Sequence, residues 1–265
     1  MARFLITGVA GLIGSHVAEA LLERGHRVVG LDNLSHGSLA NIKPFMSDRH
    51  FAWHHGDVRD ASLLERLCDE VDRVVHLAAW KIPRYGQARE TLEVNGLGTW
   101  TVLKAAAARK LRVLVASTSE IYGRNPNLPF REDSESVLGP TTVKRWGYAV
   151  SKLFGEHLCW AFHREMELPV SIVRYFGGYG PRQRLDWMAG PQAVFITKAL
   201  RGEALPIHGT GQQRRTFTYI SDHVEGTLKV LESSGSIGEA LNLGSTQEIR
   251  IVELAQLIWR MIHGD

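Results

Sequence analysis

The strongest constraint on this chain is the passage from Arg3 to Arg24, where a short apolar strand runs through three glycines into a helix. Arg3-Phe4-Leu5-Ile6-Thr7 reads as a buried strand, Gly8-Val9-Ala10-Gly11-Leu12-Ile13-Gly14 follows, and Val17, Ala18, Leu21 and Leu22 then recur at helical spacing. Such a passage is a phosphate-binding turn. Gly8 permits the sharp reversal, Gly11 lets the backbone approach a diphosphate, and Gly14 lets helix and strand pack closely. The helix start at Leu12 and Ile13 offers free N–H groups and a positive dipole end to the anion. A plain flexible turn can also hold three glycines. What separates the two is Asp32, which ends the next apolar strand 18 residues beyond Gly14 and stands where a carboxylate accepts hydrogen bonds from an adenosine ribose. Dinucleotide binding follows, with Asn33 and Leu34 beside the same ribose.

The rest of the chain continues the alternation. Strands are predicted at 51–55, 73–79, 111–117 and 170–175, with helices at 61–69, about 90–109 and about 146–165 between them. This pattern specifies an α/β fold, a doubly wound parallel Rossmann sheet over residues 1–176. Asp57 and Val58 at the third strand's end, and Leu77, Ala78 and Ala79 at the fourth's, border the cofactor. Residues 124–145 read as a loop over the site. Beyond Gly177 the elements shorten: helices near 191–201 and 222–233, strands near 205–208, 217–220 and 240–243, and a helix from about 251. They form a smaller substrate lobe over 177–265, with some elements returning to the main sheet. A net charge of +3 from 31 basic and 28 acidic residues is too balanced for a nucleic-acid groove. No apolar run approaches a membrane span and no charged leader precedes the first strand, so a cytoplasmic protein is expected. Cys68 and Cys159 fall in amphipathic helices and read as reduced core thiols, and the histidines show no metal-ligand spacing.

Tyr148 and Lys152, at i and i+4, share one face of the second long helix. The pair alone is an ordinary amphipathic spacing. Its place after the fifth strand, which ends in Ser117-Thr118-Ser119-Glu120, makes it chemistry. An ammonium near a phenol, with a cationic nicotinamide, is expected to lower the phenol's pKa. The phenolate can then take a hydroxyl proton while a hydride leaves the same carbon, with Thr118 holding that hydroxyl.

Taken in order, Thr7-Gly-x-x-Gly-x-x-Gly14, Asp32-Asn33-Leu34, Asp57, His76-Leu-Ala-Ala79, Thr118, Tyr122-Gly123, Tyr148-x-x-x-Lys152, Arg174-Tyr175-Phe176 and Gly180-Pro181-Arg182 resemble the extended short-chain dehydrogenase/reductase family of NAD-dependent nucleotide-sugar epimerases and dehydratases. The resemblance implies tightly held NAD and a UDP- or dTDP-sugar under the C-terminal lobe. It also implies a homodimer whose two long helices form a four-helix interface. Tyr175 then borders the cofactor, Ser119 and Arg182 the substrate, and Arg215 pairs with the nucleotide diphosphate. Asp32 argues for NAD over NADP, because a carboxylate repels a 2′-phosphate. Ser119-Glu120 replaces the dehydratases' Asp-Glu pair, which argues against dehydration. Thr118-Ser119-Glu120 resembles UDP-glucuronate decarboxylases. Ala78-Ala79-Trp80-Lys81 resembles UDP-galactose 4-epimerases, which place a Lys near sugar and nicotinamide. The epimerase is the favoured reading, the decarboxylase its alternative, and a non-catalytic NAD-binding sensor a third. Gly177 departs from the family's Asn, whose side chain reaches the sugar nucleotide.

Overall fold

The computed structural model describes residues 1–81, 88–186 and 190–264. β1 (Arg3–Thr7), α1 (Leu12–Glu23) and β2 (Arg27–Asp32) open the chain, followed by the single turn α2 (Leu39–Ile42). β3 (Phe51–His55), α3 (Ala61–Cys68) and β4 (Arg73–His76) come next. Asp60 caps α3, its carboxylate accepting from the Leu63 N–H at 3.0 Å. The expected helix over 90–109 is interrupted. It is α4 (Ala88–Leu92), a π-helical turn at Glu93–Leu97, and α5 (Gly98–Ala107).

β5 (Arg112–Thr118), α6 (Trp146–Met166) and β6 (Val170–Tyr175) complete the large unit. The lobe begins with β7 (Gly178–Tyr179), α7 (Pro191–Leu200), β8 (Arg214–Thr216) and β9 (Thr218–Tyr219). α8 (Ile220–Glu232), β10 (Glu239–Leu243), β11 (Glu248–Arg250) and α9 (Ile251–His263) follow. Residues 205–208, expected as a strand, form none. Pro206 lacks the N–H a ladder requires.

Seven parallel strands pair in the order β10-β6-β5-β4-β1-β2-β3. Their side chains alternate between two cores, as a sheet covered on both faces demands. Leu5, Val74, Val113, Val115 and Ile172 face the layer of α3, α5 and α6. Phe4, Ile6, Val75, Leu114, Ala116, Val173 and Tyr175 face the layer of α1 and α8. A third, smaller core joins α7 to α9 through Phe195, Ala199, Ile251, Ala255 and Ile258. β10 and α8 thus belong with the large sheet although the sequence reaches them after the lobe has begun. The order reverses between β1 and β4, and ligands of such sheets bind in the crevice outside the strand ends at that point. Cys68 and Cys159 are buried and unbridged, and burial pushes both thiols up. Among the described residues no helix is long and apolar enough to cross a membrane.

Candidate active site

A cavity of about 630 Å³ opens at the reversal point. At one end is the glycine turn. Gly8 adopts φ +75°, and a Cβ there would lie 2.7 Å from the Ala78 nitrogen; a Cβ on Gly14 would run into the Gly8 carbonyl. Strand β1, the loop after β4 and the start of α1 therefore close on one another only because these positions lack side chains. Gly11 precedes the helix with no side-chain cap, and the first turn carries no acid. The orphan N–H groups there remain for an anion.

Asp32 is buried at the end of β2. Its carboxylate accepts from the Ala10 N–H at 2.9 Å and the Leu34 N–H at 2.8 Å, tying the glycine turn to the loop after β2. Burial pushes its pKa up, opposed by those two donors. Asp57 lies between Gly56 and Val58, which line the cavity, without lining it itself. Arg59 grips it with hydrogen bonds of 2.8 and 2.9 Å and Asn33 adds another at 3.0 Å, which holds its carboxyl at about 2.

At the other end, β5 delivers Thr118 and α6 delivers Tyr148 and Lys152. The Tyr148 phenol lies near the Thr118 hydroxyl, whose Oγ1 accepts from the Glu120 N–H at 3.3 Å. The expected lowering of the phenol is not found. Burial, reinforced by the negative charge of Glu120, pushes Tyr148 up, and the nearby Thr118 hydroxyl only partly offsets this. The buried Lys152 Nζ donates to the Ala116 carbonyl at 2.9 Å, which ties it to β5, and burial lowers its pKa to about 8. Glu120, with its side chain 47% exposed, sits 3.8 Å from Arg145.

Buried polar contacts hold these groups from behind. The His76 imidazole bridges Thr7 Oγ1 at 2.7 Å and Thr99 Oγ1 at 3.0 Å, and burial drives it down to about 3, so it is a neutral strut. Asn95 in the π-helical turn accepts from Trp80 N at 2.7 Å. It donates to Trp80 O at 3.1 Å and to Ser151 Oγ at 2.9 Å, fixing the loop after β4 against α6. Ser117 Oγ donates to Glu156, which pairs with Arg174 through bonds of 2.7 and 3.0 Å. Arg174 reaches Tyr122 OH at 2.9 Å, and that hydroxyl donates to Asn242 at 2.7 Å. The ends of β5, β6 and β10 are therefore cross-linked beneath Thr118.

The cavity gathers Gly8, Gly11, Leu12, Ile13, Gly14, Asp32, Asn33, Val58, Leu77, Ala78, Ala79, Lys81, Thr118, Ser119, Glu120, Tyr148, Lys152, Tyr175, Gly177 and Arg182. It does not gather Leu34, Asp57 or Arg215. Leu34 is held beside the site by its bond to Asp32. Arg215 is exposed on β8, its guanidinium donating to the Arg214 carbonyl at 2.7 Å. Arg182 pairs with Glu19 at 2.6 Å, while its Nη1 is buried without a partner. Asn95, His36, Arg184 and His223 join the site without having been singled out from sequence. Of these His223 left a trace, a ring among the buried Ile220, Thr227, Leu228 and Leu231 of α8.

The family model described as NAD dependent epimerase/dehydratase family matches residues 4–244. The chain belongs to the NAD-dependent epimerase/dehydratase family. A UDP-N-acetyl-alpha-D-glucosaminuronate decarboxylase of Bacillus cytotoxicus is 39% identical over 99% of this chain and 81% of its own length. UDP-glucuronic acid decarboxylase 1 of Danio rerio is 35% identical over 98% of the chain, which spans 60% of that relative. Among solved structures, the UDP-glucuronic acid 4-epimerase of Bacillus cereus, in complex with UDP-glucuronic acid and NAD, superimposes with a TM-score of 0.90. It is 33% identical and covers 99% of this chain and 83% of its own.

As a member of this epimerase/dehydratase family the protein uses NAD. The residues present fit the cofactor: a glycine cradle that a Cβ would fill, an uncapped helix start for the diphosphate, and Asp32 at the ribose position. Tyr148 and Thr118 stand at the far end of the cavity.

Proposed function

We propose that this member of the family is an NAD-dependent decarboxylase of a UDP-hexuronate. The observation that carries the reading is Glu120. It directly follows Thr118-Ser119, lines the cavity, and is close enough to Tyr148 for its charge to act on the phenol. Relatives at 39% and 35% identity with decarboxylase names, matched over nearly the whole chain, support the same choice. They move the balance away from the 4-epimerase that Lys81 favours in the sequence, although the Bacillus cereus epimerase keeps that alternative in view.

Bound NAD supplies an acceptor for the hydride of sugar C4 and later returns it, so no net oxidant is consumed. Tyr148 removes the C4 hydroxyl proton while Thr118 holds that hydroxyl by hydrogen bonding. The resulting 4-keto uronate is a β-keto acid. Its C5–C6 bond breaks, carbon dioxide leaves, and the electron pair passes into the C4 carbonyl to give an enolate. Glu120, directly or through water, returns a proton to C5. Tyr148 then gives its proton back to the C4 oxygen. Epimerisation would share the first step and omit the last carbon–carbon cleavage.

Incubation with UDP-glucuronate and its 2-acetamido analogue should release carbon dioxide and a UDP-pentose, and Glu120→Gln should suppress that release at least tenfold. A C4-inverted hexuronate with no carbon dioxide would restore the epimerase reading. A homodimer is part of the proposal, supported by apolar exposure: Leu92, Leu97 and Trp100 along α4, the π-helical turn and α5, with Val150 and Phe154 on α6, are exposed. Sedimentation of Phe154→Arg as a monomer would support that interface.

A further inference from the structure

The glycine-turn end of the cavity is bridged. β1, which opens into that turn, lies between β4 and β2 in the sheet. The loop after β4 carries Trp80 and the loop after β2 carries His36, one on each side of the turn. Their rings meet edge-on with centroids 4.3 Å apart. Both residues line the same cavity as Gly8, Gly11 and Gly14. The two loops therefore close a span across the end of β1, and the cavity passes between that span and the glycines.

The backbone on each side of the span is anchored. Asn95 holds the Trp80 N–H at 2.7 Å and the Trp80 carbonyl at 3.1 Å. On the other side the Ser38 N–H donates to the Ala10 carbonyl at 3.0 Å. Gly37 packs so closely on the glycine turn that a Cβ there would lie 2.8 Å from the Ala10 Cβ. Arg184 Nη1 donates to the His36 carbonyl at 3.4 Å, and Asn41 Nδ2 to the Arg182 carbonyl at 3.3 Å, so the start of the lobe is fastened to the same loop. With both backbones pinned, the span opens by rotation of the two side chains. The chemistry gives such a span a use. Decarboxylation and epimerisation both borrow a hydride from the sugar and return it, so a reduced cofactor that escapes in mid-cycle leaves the reaction unfinished.

We propose that the contact between His36 and Trp80 is a gate that retains NAD, which enters and leaves when the two rings part. A gate acts on rates. The rings close on each other with or without the cofactor, so parting them speeds release and capture alike and leaves affinity nearly unchanged. A residue that grips the cofactor would instead slow release alone. The inference rests on NAD binding at the glycine turn and not on the choice between decarboxylation and epimerisation.

The test follows the fluorescence of NADH on the whole protein. Displacement of bound NADH by excess NAD gives the release rate, and mixing NADH with cofactor-stripped protein gives the capture rate. Trp80→Ala and His36→Ala should each raise both rates about tenfold while Kd changes far less, the pattern of a lost gating step. The double variant should be no faster than either single one, because the same contact is removed twice. Trp80→Phe keeps a ring that can meet the imidazole edge-on and should stay near the wild-type rates. Unchanged release in both alanine variants would overturn the proposal. So would faster release without faster capture, which would make the residues cofactor ligands, or multiplied effects in the double variant, which would make them independent. Trp80→Phe as fast as Trp80→Ala would overturn it too, since the ring contact would then not be what holds the cofactor.

Discussion

Substituting Glu156 by Gln tests whether the polar cross-link under the catalytic strand holds the site together. Glu156 and Arg174 are a desolvated pair, with side chains 4% and 10% exposed. The carboxylate accepts three hydrogen bonds, two from Arg174 and one from Ser117. Glutamine keeps one acceptor and turns an NH₂ toward groups that are themselves donors, leaving the Arg174 charge buried without its counter-ion. Breaking such a pair costs about 3–5 kcal/mol. That is a large share of the 5–15 kcal/mol of a typical folded protein. Urea unfolding of the NAD-saturated protein, followed by tryptophan fluorescence, reads the loss as a lower midpoint. The double variant Glu156→Leu, Arg174→Met removes the charge along with its partner and should be more stable than Glu156→Gln by at least about 1 kcal/mol, because no uncompensated ion remains. A loss below about 1 kcal/mol in Glu156→Gln, or a double variant less stable than the single, would refute the reasoning.

Tyr148→Phe should abolish turnover while leaving NAD bound, as measured by kcat and by the cofactor content of purified protein; near-normal kcat would remove Tyr148 as the base. Asp32→Ala should weaken NAD and relax discrimination against NADP, since it deletes the ribose acceptor and frees the Ala10 and Leu34 N–H groups; titration with both cofactors reads this. Burial lowers Lys152 to about 8 in the folded protein, against about 10.4 for an ordinary lysine. Between those values the unfolded chain binds more protons than the folded one, so this residue makes stability rise with pH across that window and adds no slope below it. Subtracting the stability–pH profile of Lys152→Met from the wild type should isolate that rise, and a flat difference would contradict the burial of the ammonium.

The parts of the molecule legible in sequence were those with local signals. The glycine turn, Asp32 and the alternating strands carry their geometry in residue spacing, and the structure places them as the spacing predicts. The π-helical turn at Glu93–Leu97 had no such signal, because what it serves is Asn95's hold on Trp80 and Ser151 across the fold. The pairs β7–β9 and β8–β11 are two or three residues long and exist only through partners distant in sequence. Arg215 matches the motif and sits on one of these pairs, exposed and outside the cavity's lining. Lys152 was placed correctly on the helix face, yet its destination at the Ala116 carbonyl depends on burial that spacing cannot convey.

The placement of β10 beside β6 has a consequence for synthesis. A ribosome delivers β6 early, but its outer backbone edge must wait for the chain from Gly177 to Gly238 before Glu239–Leu243 arrives to seal it. During that interval Val170 to Tyr175 present an open ladder of apolar character, the kind of edge that recruits other strands. A nascent chain halted inside the lobe is therefore a species for a chaperone to shield, although its phosphate-binding turn has long since emerged.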